Sequence, residues 1–413
     1  MSRTAGKHLF FFLLVCAFLL PMSLNALDFG LLLNQGVGFN GGVGDSTVDY
    51  EAVLVPRFSF LIGNSASAYV SASFRALYEH DNWLVVPELL RTEFNWNRGS
   101  NDFSIGRMVY IDPINLVAAG LFDGVRFSHH NVWGTLGFGL WYTGFLYKNR
   151  ANIAMTDADT VSVETVDLNW GDFFNTYFAS RRVMASLFWE HPSVAERLGF
   201  SAALIGQIDL NNDESHTHHS QYIIAKATLP HSRFIFELGG AVELAQITRD
   251  DEAEIRIALA GDVGLHWMPV SRLHSMVSFN GRFTSGRTEN GPLTAFTPIT
   301  SLSHGDILQA DIPGLSVLTL GYTVRLRHEL SAVLSTSYFV RSDRGSYIAY
   351  PVNGEELPGY FLGSEFFGRL MWSPISDMSL NVGGGIFLPA LGDVAPNVDP
   401  LWRIEMSATF ALR

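Results

Sequence analysis

Apolar and polar side chains alternate along much of the chain with the two-residue period of an extended strand, not the 3.6-residue period of a helix. In residues 253–267, Ile255, Ile257, Leu259, Gly261, Val263, Leu265 and Trp267 share one face, and Glu254, Arg256, Ala258, Ala260, Asp262, Gly264 and His266 share the other. Residues 233–246 set Phe234, Phe236, Leu238, Val242 and Leu244 against Glu237, Gly239, Ala241 and Glu243. Residues 132–147 set Val132, Leu136, Phe138, Leu140 and Tyr142 against Trp133, Thr135, Gly137, Gly139 and Thr143. The C-terminal segment sets Trp402, Ile404, Met406, Ala408, Phe410 and Leu412 against Arg403, Glu405, Ser407, Thr409 and Arg413. One face of each segment is hydrocarbon, and the other mixes glycine, hydroxyls and charge. Many segments run 12–16 residues. That is too long for a soluble strand of about 5–6 and suits a tilted membrane strand, which needs about 9–11 for the bilayer alone.

The breaks between segments also alternate. Short ones fall at 63–66, 98–101, 129–131, 191–196, 230–232, 268–271, 327–329 and 373–376. Between them lie mostly longer polar stretches at 37–46, 80–82, 110–120, 148–175, 211–219, 248–252, 288–313, 342–358 and 389–399. Tight turns on one side and long loops on the other mark an outer-membrane barrel. The pattern predicts an all-β, antiparallel, up-and-down transmembrane β-barrel of about 18 strands with both termini on the periplasmic side. Tyr78, Trp83, Trp96, Tyr110, Trp133, Tyr147, Trp189, Trp267 and Trp372 lie near expected strand ends, as interfacial belts require.

Residues 1–26 read as a signal peptide: Arg3 and Lys7, an apolar run from Leu9 to Leu20, Pro21, and a cleavage site at Leu24-Asn25-Ala26. The barrel then occupies 27–413, exported to the outer membrane. The lone cysteine, Cys16, falls in the leader, which removes disulfides, thiolate metal sites and cysteine nucleophiles from the mature chain. Of 413 residues, 27 are basic and 40 acidic, a net charge of −13. An acidic surface is a poor nucleic-acid binder. No G-x-S-x-G or comparable nucleophile motif is present, so no enzyme is expected and no cofactor is implied. The expected partners are outer-membrane lipid, the barrel-assembly machinery and small hydrophilic solutes.

Candidate chemistry lies on the polar faces. Phase directs Arg91, Arg182, Arg256, Arg282, Arg325, Arg327, Arg369 and Arg403 inward, with Glu93, Glu190, Asp209, Glu237, Glu243, Asp262, Glu365 and Glu405 on the same face. A charge facing lipid at mid-depth costs up to about 2–4 kcal/mol, which also favours the lumen. Eight arginines could form a path for an anionic solute, or they could pair with the acids across the lumen. The outer connections are acidic, with Asp157, Asp159, Glu164, Asp167 and Asp172 in one and Asp250, Asp251 and Glu252 in another. His216, His218 and His219 form the one metal-like cluster; a solvated loop tip is the alternative reading. Gly383-Gly384-Gly385 sits inside a strand, where it would permit a bulge or barrel curvature.

The stretch Asp102-Phe103-Ser104-Ile105-Gly106-Arg107, followed by Leu121-Phe122-Asp123-Gly124-Val125-Arg126-Phe127, resembles the alginate-export type of outer-membrane porin. The resemblance implies an arginine-bearing lumen passing an anionic polysaccharide or small solutes, with Arg107 and Arg126 near the constriction. The reading is a porin, a passive or substrate-selective pore whose lumen is narrowed by an inward-folded outer loop, 148–175 or 288–313. A surface adhesin or structural barrel with a filled lumen is one alternative. A fatty-acid-transporter-like barrel is another, although strand pattern from Asp28 leaves little room for its N-terminal plug.

Overall fold

The computed structural model describes residues 27–42, 46–79, 82–156, 159, 168–194, 196–210, 216–249, 252–269, 273–288, 293–344 and 359–412. The expected leader lies outside them. Eighteen strands follow one another: β1 (Leu27–Gly41), β2 (Ser46–Ile62), β3 (Ala66–Glu79), β4 (Asn82–Arg98), β5 (Asn101–Ile111), β6 (Ala119–Asn131), β7 (Gly134–Tyr142), β8 (Arg182–Val194), β9 (Leu198–Asp209), β10 (Thr217–His231), β11 (Phe234–Arg249), β12 (Glu252–Trp267), β13 (Met276–Thr284), β14 (Leu315–Arg325), β15 (Leu330–Arg341), β16 (Phe361–Ile375), β17 (Met378–Leu388) and β18 (Leu401–Leu412). Each pairs antiparallel with its chain neighbours, and β1 also pairs with β18 from Leu31↔Leu412 to Gly41↔Trp402. The sheet is therefore a closed barrel, the strand arrangement that lets β-structure cross lipid without an unpaired edge.

All eight short and nine long connections fall close to where the pattern places them. The turn expected at 129–131 instead follows Asn131, with Val132 and Trp133 at its exposed tip. The segment expected to run to Tyr147 leaves the wall after Tyr142. The outer phase is apolar and exposed, as in Leu238, Ile255, Leu334 and Met406. Trp96, Trp133, Trp267 and Trp372 stand exposed beside the short turns, and Trp83 at the opposite rim. Tyr110 and Tyr147 are not in such a belt, since both are buried inside the molecule. The triple glycine makes no bulge: register with β16 runs unbroken through Gly383–Gly385, and the irregularity falls between Trp372 and Ile375.

The wall departs from a plain cylinder at β5 and β6. Pairing of β4 with β5 stops at Thr92↔Arg107, although β4 continues upward against β3 from Arg91 to Asn82. Pairing of β6 with β7 stops at Asp123↔Tyr142. Above that level the β5–β6 hairpin has no strand on either flank among the described residues, and it folds across the lumen. Ile114 at its tip occupies the space where a side chain at Gly239 of β11 would go. Connection 285–314 meets it there, with Ile299 and Thr300 donating to the Val117 carbonyl at 2.7 and 3.2 Å.

Inside the barrel these segments build an apolar core that alternation alone does not announce. Met108, Tyr110, Phe122, Trp141, Met184, Phe188, Ile205, Tyr222 and Ile224 point inward from β5–β10 and pack against Ile114, Val117, Ile153, Phe296, Ile299 and Ile312 of the connections. A second cluster near the outer end joins Leu315, Val317, Phe339, Leu362 and Phe387 to Ala310 and Val394.

Candidate functional site

Three outer connections occupy the barrel interior, each held by a buried carboxylate. Asp112 folds the hairpin tip: its carboxylate accepts from Ile114 N at 2.9 Å, Leu116 N at 3.1 Å, and Val117 N and Ala118 N at 2.8 Å each. Burial pushes the Asp112 carboxyl up, and backbone donors led by Ala118 and Val117 oppose that shift. Connection 143–181 is tied by Asp159, which pairs with Arg182. The Arg182 guanidinium also donates to the Ala154 carbonyl at 2.7 Å. Connection 285–314 is held twice. Glu243 accepts from Thr297 N at 2.8 Å while Tyr222 Oη donates to the Thr297 carbonyl at 2.5 Å. Glu365 accepts from Asp306, Ile307 and Leu308 N at 2.7, 3.0 and 3.1 Å. Thus 285–314 folds inward as expected, and 110–120, expected only as an outer connection, does so too. The described part of 148–175 contributes Ile153, Ala154, Thr156 and Asp159 to the interior. One expected rim acid, Asp159, is buried; Asp157, Glu164, Asp167, Asp250 and Asp251 lie outside the described residues.

Most of the expected lumen charges do face inward, and most are paired. Arg91 contacts Glu93 at 2.6 Å and stacks over Tyr69 at 4.9 Å. Arg256 contacts Glu254 at 2.6 Å and Arg282 contacts Asp262 at 3.2 Å. Glu237 takes Lys226 at 3.0 Å, with Asp262 3.9 Å from the same ammonium. Arg369 bridges Glu405 at 2.7 Å and Asp306 at 3.2 Å, and Arg403 reaches the other Glu405 oxygen at 3.2 Å. Arg126 lies over the Phe188 ring at 4.6 Å, and its Nε has no hydrogen-bond partner among the described residues.

Four placements differ from the sequence reading. Arg182 and Glu243 point inward but are 1% and 0% exposed, so they brace connections and do not line water. Arg327 sits in the short turn after β14, and Arg325 beside it donates to the His328 carbonyl at 2.9 Å, so both lie at the turn end, outside the wall of charges. Arg107 shares the outer phase with Ile105, Val109 and Ile111, yet it is buried. Its guanidinium grips Asp123 with Nε and Nη2 at 2.9 and 2.7 Å, and donates to the Leu89 and Phe145 carbonyls at 2.5 and 2.9 Å. The histidines are not gathered either. His218 faces inward, 3.6 Å from Glu243, whereas His219 takes the next position of β10 and accepts the Asp209 N–H at 3.1 Å. No group of three or more metal-ligating side chains forms among the described residues.

The polar side centres on β18, β1 and β2, since the inward Leu315, Val317, Phe339 and Phe387 of β14, β15 and β17 are buried in the second apolar cluster. Asn34, Gly36, Gly38 and Asn40 of β1 oppose Thr409, Ser407, Glu405 and Arg403 of β18 in register. Gly383 and Gly385 continue the row of small inward positions on β17. Glu51 and Arg75 pair at 3.0 Å. Arg57 lies flat over Gly30, where any side chain would collide with its guanidinium, and has no carboxylate partner among the described residues. The sequence reading passed over Arg57, Arg75 and Lys226. Phase held the signal for Arg57, since Asp49, Glu51, Val53 and Val55 lead to it by twos.

No protein-family model and no curated protein matches the chain, so the alginate-export resemblance gains no support. Solved structures do match the fold. OpdK, an outer-membrane protein of Pseudomonas aeruginosa, is 9% identical with a TM-score of 0.61, over 94% of this chain and 99% of that one. OccK2 (OpdF) of the same organism, in complex with glucuronate, is 10% identical with a TM-score of 0.60, over 94% and 99%. Pseudomonas aeruginosa OprD is 12% identical with a TM-score of 0.59, over 94% and 96%.

Proposed function

We propose that the chain is a bacterial outer-membrane porin through which small hydrophilic solutes diffuse, anions in preference. The carrying observation is that inward charges remain wet: the side chains of Glu51, Arg91 and Arg369 are 41%, 40% and 37% exposed although they face the barrel interior. Water reaches them only from within, so the polar side is a filled aqueous path. On the opposite side the connections pack as a dry core.

Paired charges present little net field, since each guanidinium is offset by its carboxylate at contact distance. Among the described residues, Arg57 and Arg126 are inward cations with no carboxylate partner. They bias the path toward anions, in the way a fixed charge ring sets ion preference. Two barrels of similar fold have been solved with carboxylates, OccK2 with glucuronate and OpdK with vanillate, and the bias suits such solutes. Passage of an anionic polysaccharide, the finer implication of the alginate-export resemblance, is not proposed: three connections fold into the interior and pack there.

Single-channel recording of the refolded protein tests this. Steady conductance is expected, with chloride favoured over potassium. Arg57→Glu and Arg126→Glu should move that preference toward potassium, and Arg256→Glu, at a position already paired, should move it less. A wild-type barrel that never conducts would instead support the filled-lumen adhesin.

A further inference from the structure

The sequence stretch Gly106-Arg107 and the stretch Asp123-Gly124 meet across two strands. Register sets Arg107 opposite Asp123 and, one step below, Gly106 opposite Gly124. This is the level at which β4 and β7 stop pairing with the hairpin. Both glycines are sterically required. Gly106 has a φ of 123°, and a Cβ on it would strike the Thr92 carbonyl oxygen; a Cβ on Gly124 would strike that of Leu140. The glycine pair therefore marks the bend where the hairpin leaves the wall.

Arg107 fills the fork that the bend opens. Beyond Thr92, β4 has no strand on its β5 side among the described residues, and its carbonyls there need donors. Arg107 supplies one to Leu89, and Tyr177 Oη supplies another to Pro87 at 2.9 Å. Pro87, which lacks an N–H, is tolerated at such an edge. Arg107 also holds the Phe145 carbonyl, at the start of the connection that packs Tyr147 and Tyr177 against Val86 of β4. One guanidinium thus joins the hairpin, the strand it has left and the segment beside the vacated flank, and Asp123 fixes it by a two-point grip.

Building on the channel reading above, we propose that Arg107 and Asp123 are a positioning pair that holds the β5–β6 hairpin across the lumen and so sets the width of the path, without touching the solute. The pair shares the outer phase, so its charge does not enter the water-filled path, and width and ion preference separate.

The test is single-channel recording on Arg107→Lys, Asp123→Asn and the swapped double variant Arg107→Asp/Asp123→Arg, with chymotrypsin protection of residues 108–122, which carry Met108, Tyr110, Leu116 and Phe122, measured alongside. Each single variant is expected to raise conductance about twofold with added open-channel noise and faster cleavage, at unchanged chloride-to-potassium preference. The swap should regain part of the protection. A shift in ion preference would show that Arg107 lines the path, and unchanged conductance and protection would show that the pair positions nothing; either result overturns the proposal. Asp123→Asn, nearly isosteric, keeps the test decisive if Arg107→Lys does not refold. A wild-type protein that does not conduct would sink the channel reading, whereas protease protection would still report on the pair.

Discussion

Glu365→Gln probes how firmly connection 285–314 is held inside the barrel. Glu365 is 1% exposed and receives three consecutive backbone N–H groups, from Asp306, Ile307 and Leu308. A hydrogen bond to a charged group contributes about 1.5–3 kcal/mol net, and three on one carboxylate do not add in full. Roughly 3 kcal/mol for the set is a conservative figure. The amide keeps the shape but loses the charge, and it turns an NH2 toward donors it cannot serve. About 3 kcal/mol corresponds to a shift of roughly 150-fold in the ratio of folded-in to released segment. In planar bilayers the variant should conduct more than wild type, with frequent excursions to a wider state. Protease should cut 301–311 faster. Asp306→Asn serves as the contrast. It removes the contact to Arg369, in which both side chains are 37% exposed, and a solvent-exposed pair is worth about 0–1 kcal/mol. If Glu365→Gln matches wild type in conductance and protease resistance, or if Asp306→Asn exceeds it, the carboxylate does not anchor the segment.

Three further outcomes follow from the same interior. Burial, aided by the Arg282 charge, pushes the His304 imidazole down to about 4. A released His304 would titrate near 6.5, so the released segment binds the proton first. The folded-in state is then fully favoured above about 6.5 and loses up to about 3 kcal/mol as pH falls to about 4. Conductance should rise over that window and His304→Gln should flatten the rise; Asp306, whose carboxyl burial pushes up, acts in the opposite sense and should remain. Asp159→Asn strands the buried Arg182, a loss of roughly 3–5 kcal/mol, and should lower the heat-modification midpoint on gels, whereas a joint Asp159→Asn/Arg182→Met variant should recover much of it. Zinc at micromolar concentration should leave conductance unchanged, because His218 and His219 occupy opposite faces of β10; block that disappears in His218→Ala would contradict this placement.

The barrel was legible because its physics is local. A two-residue period, a lipid-facing hydrocarbon row and turn-forming breaks sufficed to place all eighteen strands. The interior was less legible. Met108, Tyr110, Phe122 and Trp141 carry apolar groups on the inward phase, so β5–β7 look apolar on both sides and the pattern cannot tell a dry core from a membrane face. That packing depends on where strand pairing ends, which no single segment records. Arg107 is the instructive case. The resemblance put it near the lumen constriction, whereas its neighbours by twos, Ile105, Val109 and Ile111, share the outer phase, and the fork at β4 explains how a charge survives there. For the other arginines the phase gave the direction, and the partner on the next strand decided whether the charge is spent or free.

The dry packing on one flank and the row of small polar residues on the other give the wall two jobs divided by sector. In the channel proposed above, the route lies off the central axis, along the arc through β18, β1 and β2. Substitutions along that arc can retune what crosses while the structure stays intact, and those on the far arc alter firmness before they alter cargo. A barrel so divided can change its diet by editing a few strands.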